Sequence, residues 1–223
     1  MTGSREPIFL FGVGGHGRSV FEVIERQGLY DVVVVLDDSA PAGTSFRGVR
    51  ISGGREAFPS LRGDGVARGF IAVGDNADRE RLSTCAHECQ LALATLVDPA
   101  AHIARDVSVG AGTVVMPGVV VSVGARIGGH AILNTGCTVD HDSVVLDYAH
   151  VSPGAHISGE CEIGVGSHVG IGASVVQCIR IGEGARIGAG AAVVEDVAAG
   201  AVVVGVPARP IDANTREGGR TSS

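Results

Sequence analysis

Four consecutive polar residues, Asp140 to Ser143, interrupt a long run of valine, isoleucine and glycine. The second of them, His141, lies between two carboxylates. An imidazole with a pKa near ~6.5 can accept a proton at neutral pH, and a neighbouring carboxylate orients the ring and stabilises its charged form. The motif could therefore be a general base, a metal ligand or a solvated turn, and the elements that position it decide which.

The residues around this quartet repeat with a period of six. From Val97 to Val193 every sixth residue is Val, Ile or Leu, and the residue four places later is mostly small. This period matches neither the 3.6-residue repeat of an α-helix nor simple alternation, so it predicts a short strand and a tight turn, repeated as a β-helix. Three units would form one coil, with neighbouring coils about 4.8 Å apart. Since His141 comes two residues after the inward Val139, we expect its side chain to face outward.

The first part of the chain is organised differently. A buried strand leads into a glycine-rich turn and a helix that ends near Gln27, and two further strands end at Asp37-Asp38 and before Gly74. Strands that alternate with helices predict a Rossmann-like parallel α/β sheet, on which ligands bind beyond the carboxyl ends of the strands. We therefore divide the chain into an α/β domain (1–95), a β-helix domain (96–211) and a disordered tail (212–223).

The loops at that end of the sheet could bind a ligand or merely turn. Glycines before a helix let backbone amides approach a phosphate, and carboxylates after a strand can accept hydrogen bonds from ribose. A tight turn without a ligand, capped by Asp37 and Asp38, is the alternative.

Composition excludes several classes of function. All 17 basic residues are arginine and the net charge is −7, so nucleic acid and anionic membranes are not expected as partners. No segment has the ~18 to 20 apolar residues of a membrane helix. The five cysteines are scattered, which predicts reduced thiols and a cytoplasmic location.

The combination of "GVGGHG", "LDD", "AVGDN", the six-residue repeat and the ending "VVVGVPARPI" resembles one family. It is similar to the bacterial nucleotide-sugar N-acetyltransferases and the related sialic acid O-acetyltransferases, which are hexapeptide-repeat acyltransferases. The resemblance implies a left-handed parallel β-helix, a homotrimer, and acetyl-CoA in the cleft between neighbouring subunits. It implies no metal.

The resemblance also assigns roles. The general base would be His141, with Asp142 beside it where the best-studied relatives have Glu, and Asn134 belongs to the "NT" pair that precedes it. Acetyl-CoA would lie along His150, Gly159, Ile171 and Ala189. The nucleotide part of the acceptor would lie against Gly14, Gly15, His16, Asp37, Asp38 and Gly74.

The expected reaction moves the acetyl group of acetyl-CoA to the 4-amino group of a nucleotide-linked amino-deoxy-sugar by direct attack. O-acetylation of a sialic acid or another sugar hydroxyl is the alternative. A zinc lyase on the same β-helix would need a His-x4-His pair, which does not occur here, and a scaffold would need no polar interruption. The remaining histidines of the repeat are interpreted as surface residues: His102, His130, His156 and His168.

Overall fold

The computed structural model describes residues 5–211, so the tail predicted at 212–223 lies outside the described residues. The chain begins with an α/β domain whose parallel sheet has the order β2-β1-β5-β6, beside a small antiparallel pair, β3 and β4. Its strands are β1 (Glu6–Phe11), β2 (Tyr30–Leu36), β3 (Ser45–Phe46), β4 (Val49–Arg50), β5 (Arg68–Ile71) and β6 (Ala92–Leu93). Its helices are α1 (Gly15–Gln27), α2 (Phe58–Leu61), which follows a 3₁₀ turn (Arg55–Ala57), and α3 (Asn76–Glu88).

Helix α1 shows how the glycine-rich turn shapes this domain. A side chain at Gly17 would overlap the carbonyl oxygen of Gly12, so only glycine lets the helix start this close to the end of β1. Val20, Val23 and Ile24 have the spacing of one helix face and are buried. The helix ends at Gly28, whose φ of 72° is a left-handed cap.

The β-helix begins with β7 and has three parallel sheets, which we name C, D and E. Strands that are 18 residues apart pair in register, as Val120 pairs with Thr138 and Thr138 with His156. Sheet C contains β7 (Leu96–Val97), β10 (Val114–Val115), β13 (Ile132–Leu133), β16 (His150–Val151), β19 (His168–Val169), β22 (Arg186–Ile187), β24 (Val202–Val204) and the antiparallel β25 (Arg209–Ile211). Sheet D contains β8 (His102–Ile103), β11 (Val120–Val121), β14 (Thr138–Val139), β17 (His156–Ile157), β20 (Ser174–Val175) and β23 (Ala192–Val193). Sheet E contains β9 (Ser108–Val109), β12 (Arg126–Ile127), β15 (Val144–Val145), β18 (Glu162–Ile163) and β21 (Arg180–Ile181).

The predicted architecture, an α/β domain followed by a parallel β-helix, is confirmed. From Val115 to Val193 the aliphatic residues of the repeat point inward and are buried, and small residues such as Ala131 and Ala149 fill the corners with no exposed surface. The outward-facing residues Val114 and Ile132 of sheet C are also fully buried. Their burial shows that the α/β domain covers this sheet.

From Gly112 onward, the corners of the β-helix contain one residue in the left-handed backbone region. From Gly112 to Gly190 this is every sixth residue, always with a positive φ. A residue other than glycine costs roughly 1–2 kcal/mol in that conformation. Five positions nevertheless hold a side chain, with φ between 56° and 64°: His130, Asp142, Tyr148, Glu160 and Cys178.

These corners give a prediction about stability. Gly184 has a φ of 63° with open space at its missing Cβ, and Cys178 has a φ of 64° and is exposed. We expect Gly184→Ala to lower the free energy of unfolding by about 1–2 kcal/mol and Cys178→Gly to raise it by up to about 1 kcal/mol. Denaturant unfolding measures both. Changes of the same sign in the two variants would contradict the role given to the left-handed corners.

Candidate active site

A buried arginine joins the two domains. Arg79, on α3, is 1 % exposed, and its Nε donates to the carbonyl oxygen of His130 at 2.8 Å. One terminal nitrogen donates to the carbonyl oxygens of Val73 and Gly74, and the other to that of Tyr148 at 2.7 Å. Burial lowers the pKa of this guanidinium to about 10, so it stays charged at neutral pH. A cation satisfied mainly by carbonyls from both domains fixes one against the other.

The same edge of the β-helix makes further contacts with α3. Asn76 donates to the carbonyl oxygens of Gly166 and Ser167, at 2.8 and 3.0 Å. His130 stacks on Tyr148 with ring centroids 4.7 Å apart. Burial lowers the pKa of His130 to about 4, and the positive charge of the nearby His87 adds to this effect. The surface interpretation of His130 is therefore wrong. Its burial depends on α3, which is distant in sequence.

On sheet C, two histidines lie one above the other. His150 and His168 stack with centroids 4.7 Å apart, as their spacing of 18 residues predicts. His168 is half-buried and Ser152 Oγ lies 2.8 Å from its Nε2, so the surface interpretation of His168 is also wrong. Burial, with help from His168, lowers the pKa of His150 to about 3. Its ring is therefore neutral at physiological pH.

His141 lies on another edge of the β-helix, at the corner between sheets D and E. Its Nδ1 is 3.0 Å from Asp142 Oδ2, and its backbone N–H donates to Asp140 Oδ1 at 2.8 Å. The hydrogen bond to Asp142 raises the pKa of His141. One coil further along the β-helix lies Gly159, where a Cβ would come within 2.5 Å of the imidazole. Glycine there makes room for the ring, and half of the His141 side chain is exposed.

The loops of the α/β domain surround a cavity of about 430 Å³ beside Asp37 and Asp38. Asp37 accepts hydrogen bonds from the backbone N–H groups of Val13, Ser39 and Ala40. Asp38 forms an ion pair with Arg55; burial would raise its pKa, but the hydrogen bonds from Arg55 outweigh this and lower it. Both carboxylates thus bind the chain itself and shape the cavity.

The remaining predicted residues fall into two places. Gly14 and Gly15 are exposed at the start of α1, where His16 is largely buried with a pKa lowered to about 4 by burial and by Arg79. Asn134, Ile171 and Ala189 lie at the corners between sheets C and D, and Ile171 is 61 % exposed. The edge that holds His141 is opposite sheet C in a three-sided prism. One chain therefore does not bring His141 together with His150 and the α/β loops.

Within residues 5–211, no cluster of His, Cys, Asp and Glu could hold a metal ion, and no helix is long and apolar enough to cross a membrane.

Comparison with known proteins agrees with this arrangement. The sequence profile of the PglD N-terminal domain matches residues 7–85. The acetyltransferase domain of PglB from Neisseria gonorrhoeae superposes with a TM-score of 0.88 and 35% identity over 93% of this chain and 100% of that one. A histidine-to-asparagine mutant of perosamine N-acetyltransferase from Caulobacter crescentus, in complex with CoA and GDP-perosamine, gives 0.88 and 32% over 92% and 96%.

The chain belongs to the hexapeptide-repeat nucleotide-sugar N-acetyltransferases. WeeI from Acinetobacter baumannii is a more distant match, with a TM-score of 0.75 and 26% identity over 92% of this chain and 100% of WeeI. No curated protein sequence matches the chain. In this N-acetyltransferase, Arg79 lies outside the sequence motifs that carry the family resemblance.

The contacts of Arg79 give a second prediction. Arg79→Lys keeps the positive charge but cannot reach all the carbonyl oxygens on both sides, and each buried acceptor left without a donor costs about 1–3 kcal/mol. We expect the free energy of unfolding to fall by about 2–4 kcal/mol, with faster hydrogen exchange at His130 and Tyr148. Arg81→Lys is the matched control, because Arg81 is on the same helix with an exposed partner, Asp78. Equal effects of the two substitutions would refute the proposed junction.

Proposed function

We propose that this acetyl-CoA-dependent sugar N-acetyltransferase acetylates the 4-amino group of a nucleotide-activated amino-deoxy-sugar, with His141 as the general base. The observation that carries the proposal is the exposed imidazole of His141, hydrogen-bonded to Asp142 and given room by Gly159. Since Asp142 accepts the proton of Nδ1, the lone pair of Nε2 is left to take a proton from an attacking amine. The raised pKa strengthens that base.

The residues around His141 suit acetyl-CoA. The absence of a side chain at Gly159 leaves room for the imidazole itself, and Ile171 and Ala189 form an exposed apolar column at the next edge. We assign His150, Gly159, Ile171 and Ala189 to its binding. Acetyl-CoA supplies the acetyl group as an activated thioester. The solved PglB acetyltransferase domain in complex with acetyl coenzyme A supports this assignment.

We assign the nucleotide of the acceptor to the α/β domain. The cavity beside Asp37 and Asp38 lies at the carboxyl end of the sheet, close to the start of α1, where Gly14 and Gly15 expose their backbone. His16 and Gly74 complete this part of the site. The Caulobacter crescentus enzyme PerB in complex with CoA and GDP-perosamine supports a nucleotide-linked amino sugar as the acceptor.

The separation of the two parts supports assembly with further copies of the chain, which we propose is a homotrimer. His141 is on the edge opposite sheet C, whereas the α/β domain covers sheet C. A neighbouring copy can bring the edge of one chain to the domain junction of the next. We place the assembly in the cytoplasm, where the five cysteines, none of which forms a disulfide, stay reduced.

The role of His141 leads to a prediction about pH. A base must be neutral, so kcat should fall as the pH decreases through the raised pKa of His141. We expect His141→Ala to lower kcat at least about 100-fold. Asp142→Asn removes the main cause of the raised pKa, so the acidic limb of the pH–rate profile should move to lower pH. Asp140→Asn, whose carboxylate bonds the backbone and not the ring, should move it less. An unchanged profile in Asp142→Asn would argue against His141 as the base.

The acceptor is tested by CoA release across a panel of sugars. We expect turnover with UDP-, GDP- or dTDP-linked 4-amino-4,6-dideoxy-sugars, and none with free or CMP-activated sialic acid. Nucleotide-linked sugars that carry a 4-hydroxyl group are the control, because they differ from the substrate at the reacting atom alone. Turnover restricted to sialic acids would replace the proposed function with O-acetylation.

A further inference from the structure

We propose that Asn134 is a positioning residue that fixes the tautomer of His150, so that the ring carries its proton on Nδ1 and presents a neutral N–H donor to the domain junction. The identity of the atom that receives this hydrogen bond rests on the proposed function. The tautomer itself does not.

The orientation of the Asn134 amide is set by its own neighbour. The backbone N–H of Thr135 donates to Asn134 Oδ1 at 2.9 Å. The oxygen of the amide is thereby turned away from His150, and the nitrogen Nδ2 lies 3.1 Å from His150 Nε2. An amide nitrogen only donates, so Nε2 must be the acceptor.

Only one of the two ring nitrogens of His150 carries a proton. Burial, helped by the neighbouring His168, lowers its pKa to about 3, so the ring is neutral. A neutral imidazole has one N–H and one lone pair. Because Nε2 uses its lone pair to accept from Asn134, the proton is on Nδ1.

The next coil shows a contrast that makes Asn134 specific. Ser152 stands to His168 as Asn134 stands to His150, with Oγ 2.8 Å from Nε2. A hydroxyl can donate or accept, so it leaves the tautomer of His168 open. The amide of Asn134 is compatible only with the tautomer of His150 that carries its proton on Nδ1.

The Nδ1 atom of His150 is buried at the junction and makes no hydrogen bond of normal geometry within residues 5–211. The backbone of Gly74 is the acceptor that the ring approaches, which opposes the lowering of the pKa, whereas Arg79 and His16 add to it. His16 Nε2 is a second buried ring nitrogen that has no partner among the described residues. Buried polar atoms are normally satisfied, and a polar ligand between the domains would give both nitrogens a partner.

The fixed tautomer excludes His150 as a second base and makes it a donor. Its partner must therefore be an acceptor atom, and we infer that this is the carbonyl oxygen of the acetyl thioester. A donor aimed at that oxygen draws electron density from the carbonyl carbon as the amine attacks. His141 alone would then handle the proton.

The tautomer can be measured in the ligand-free protein. A long-range ¹H–¹⁵N correlation spectrum of the full chain distinguishes Nδ1–H from Nε2–H, and His150→Gln assigns the signals. We expect Nδ1–H in the wild type. Asn134→Asp is nearly isosteric but accepts instead of donating, so it should give Nε2–H or a doubly protonated ring. Ser152→Ala, the matched control one coil further, should leave the signals of His150 unchanged. Nε2–H in the wild type, or Nδ1–H in Asn134→Asp, would overturn the inference.

Steady-state kinetics with the best acceptor sugar of the panel test whether the tautomer of His150 matters for acetyl transfer. We expect Asn134→Asp to lower kcat at least about tenfold, with the KM for the nucleotide sugar within about twofold and an unchanged thermal midpoint. Ser152→Ala should stay within about twofold of the wild type in kcat. If Asn134→Asp shifted the midpoint and both KM values together, Asn134 would be structural only. A wild type that shows Nδ1–H but no turnover would reject the proposed function and uphold the tautomer.

Discussion

The relation between the two domains depends on one buried cation. Among residues 5–211, no carboxylate lies at hydrogen-bonding distance from Arg79, and apart from the side chain of Asn76 its acceptors are backbone carbonyl oxygens of both domains. Removing a guanidinium from water costs several kcal/mol, which is recovered only where its donors are matched. A different placement of the domains would separate the carbonyl oxygens of His130 and Tyr148 from those of the loop that contains Gly74. The loop that contains Gly74 is therefore held against sheet C, next to His150.

Because one coil of the β-helix contains 18 residues, equivalent positions of successive coils form columns of side chains. Glycine occupies most left-handed corners, and the exceptions concentrate in two of the columns. His130 and Tyr148 stack at the domain junction, while Asp142 and Glu160 are successive members of the column beside His141. Backbone strain of this kind persists where the side chain contributes more than glycine would. One of these columns lies at the domain junction and the other lies beside His141.

The sequence predicted the regular parts of this molecule because they are local. The six-residue period determines each strand, and the stacking of His150 on His168 follows from spacing alone. Arg79 could not be found, since an arginine in the polar helix "NADRERLS" is indistinguishable from a surface residue until its partners are known. His130 and His168 were misplaced for the same reason, because the burial of both depends on residues distant in sequence. One signal was available for His130, namely the missing glycine at a left-handed corner.

The two histidines of the proposed reaction have opposite environments, and this difference separates their roles. His141 is half exposed among carboxylates, which raises its pKa and favours proton uptake. His150 is buried near Arg79, which keeps it neutral across the physiological range. Groups whose pKa values are pushed apart in this way serve as base and donor in one reaction without competing for the proton. The two environments lie on different sides of the β-helix. The side of His141 is open to water, and the side of His150 is covered by the α/β domain. A single prism provides the two environments on different sides, so the proposed reaction would combine His141 of one copy of the chain with His150 of another.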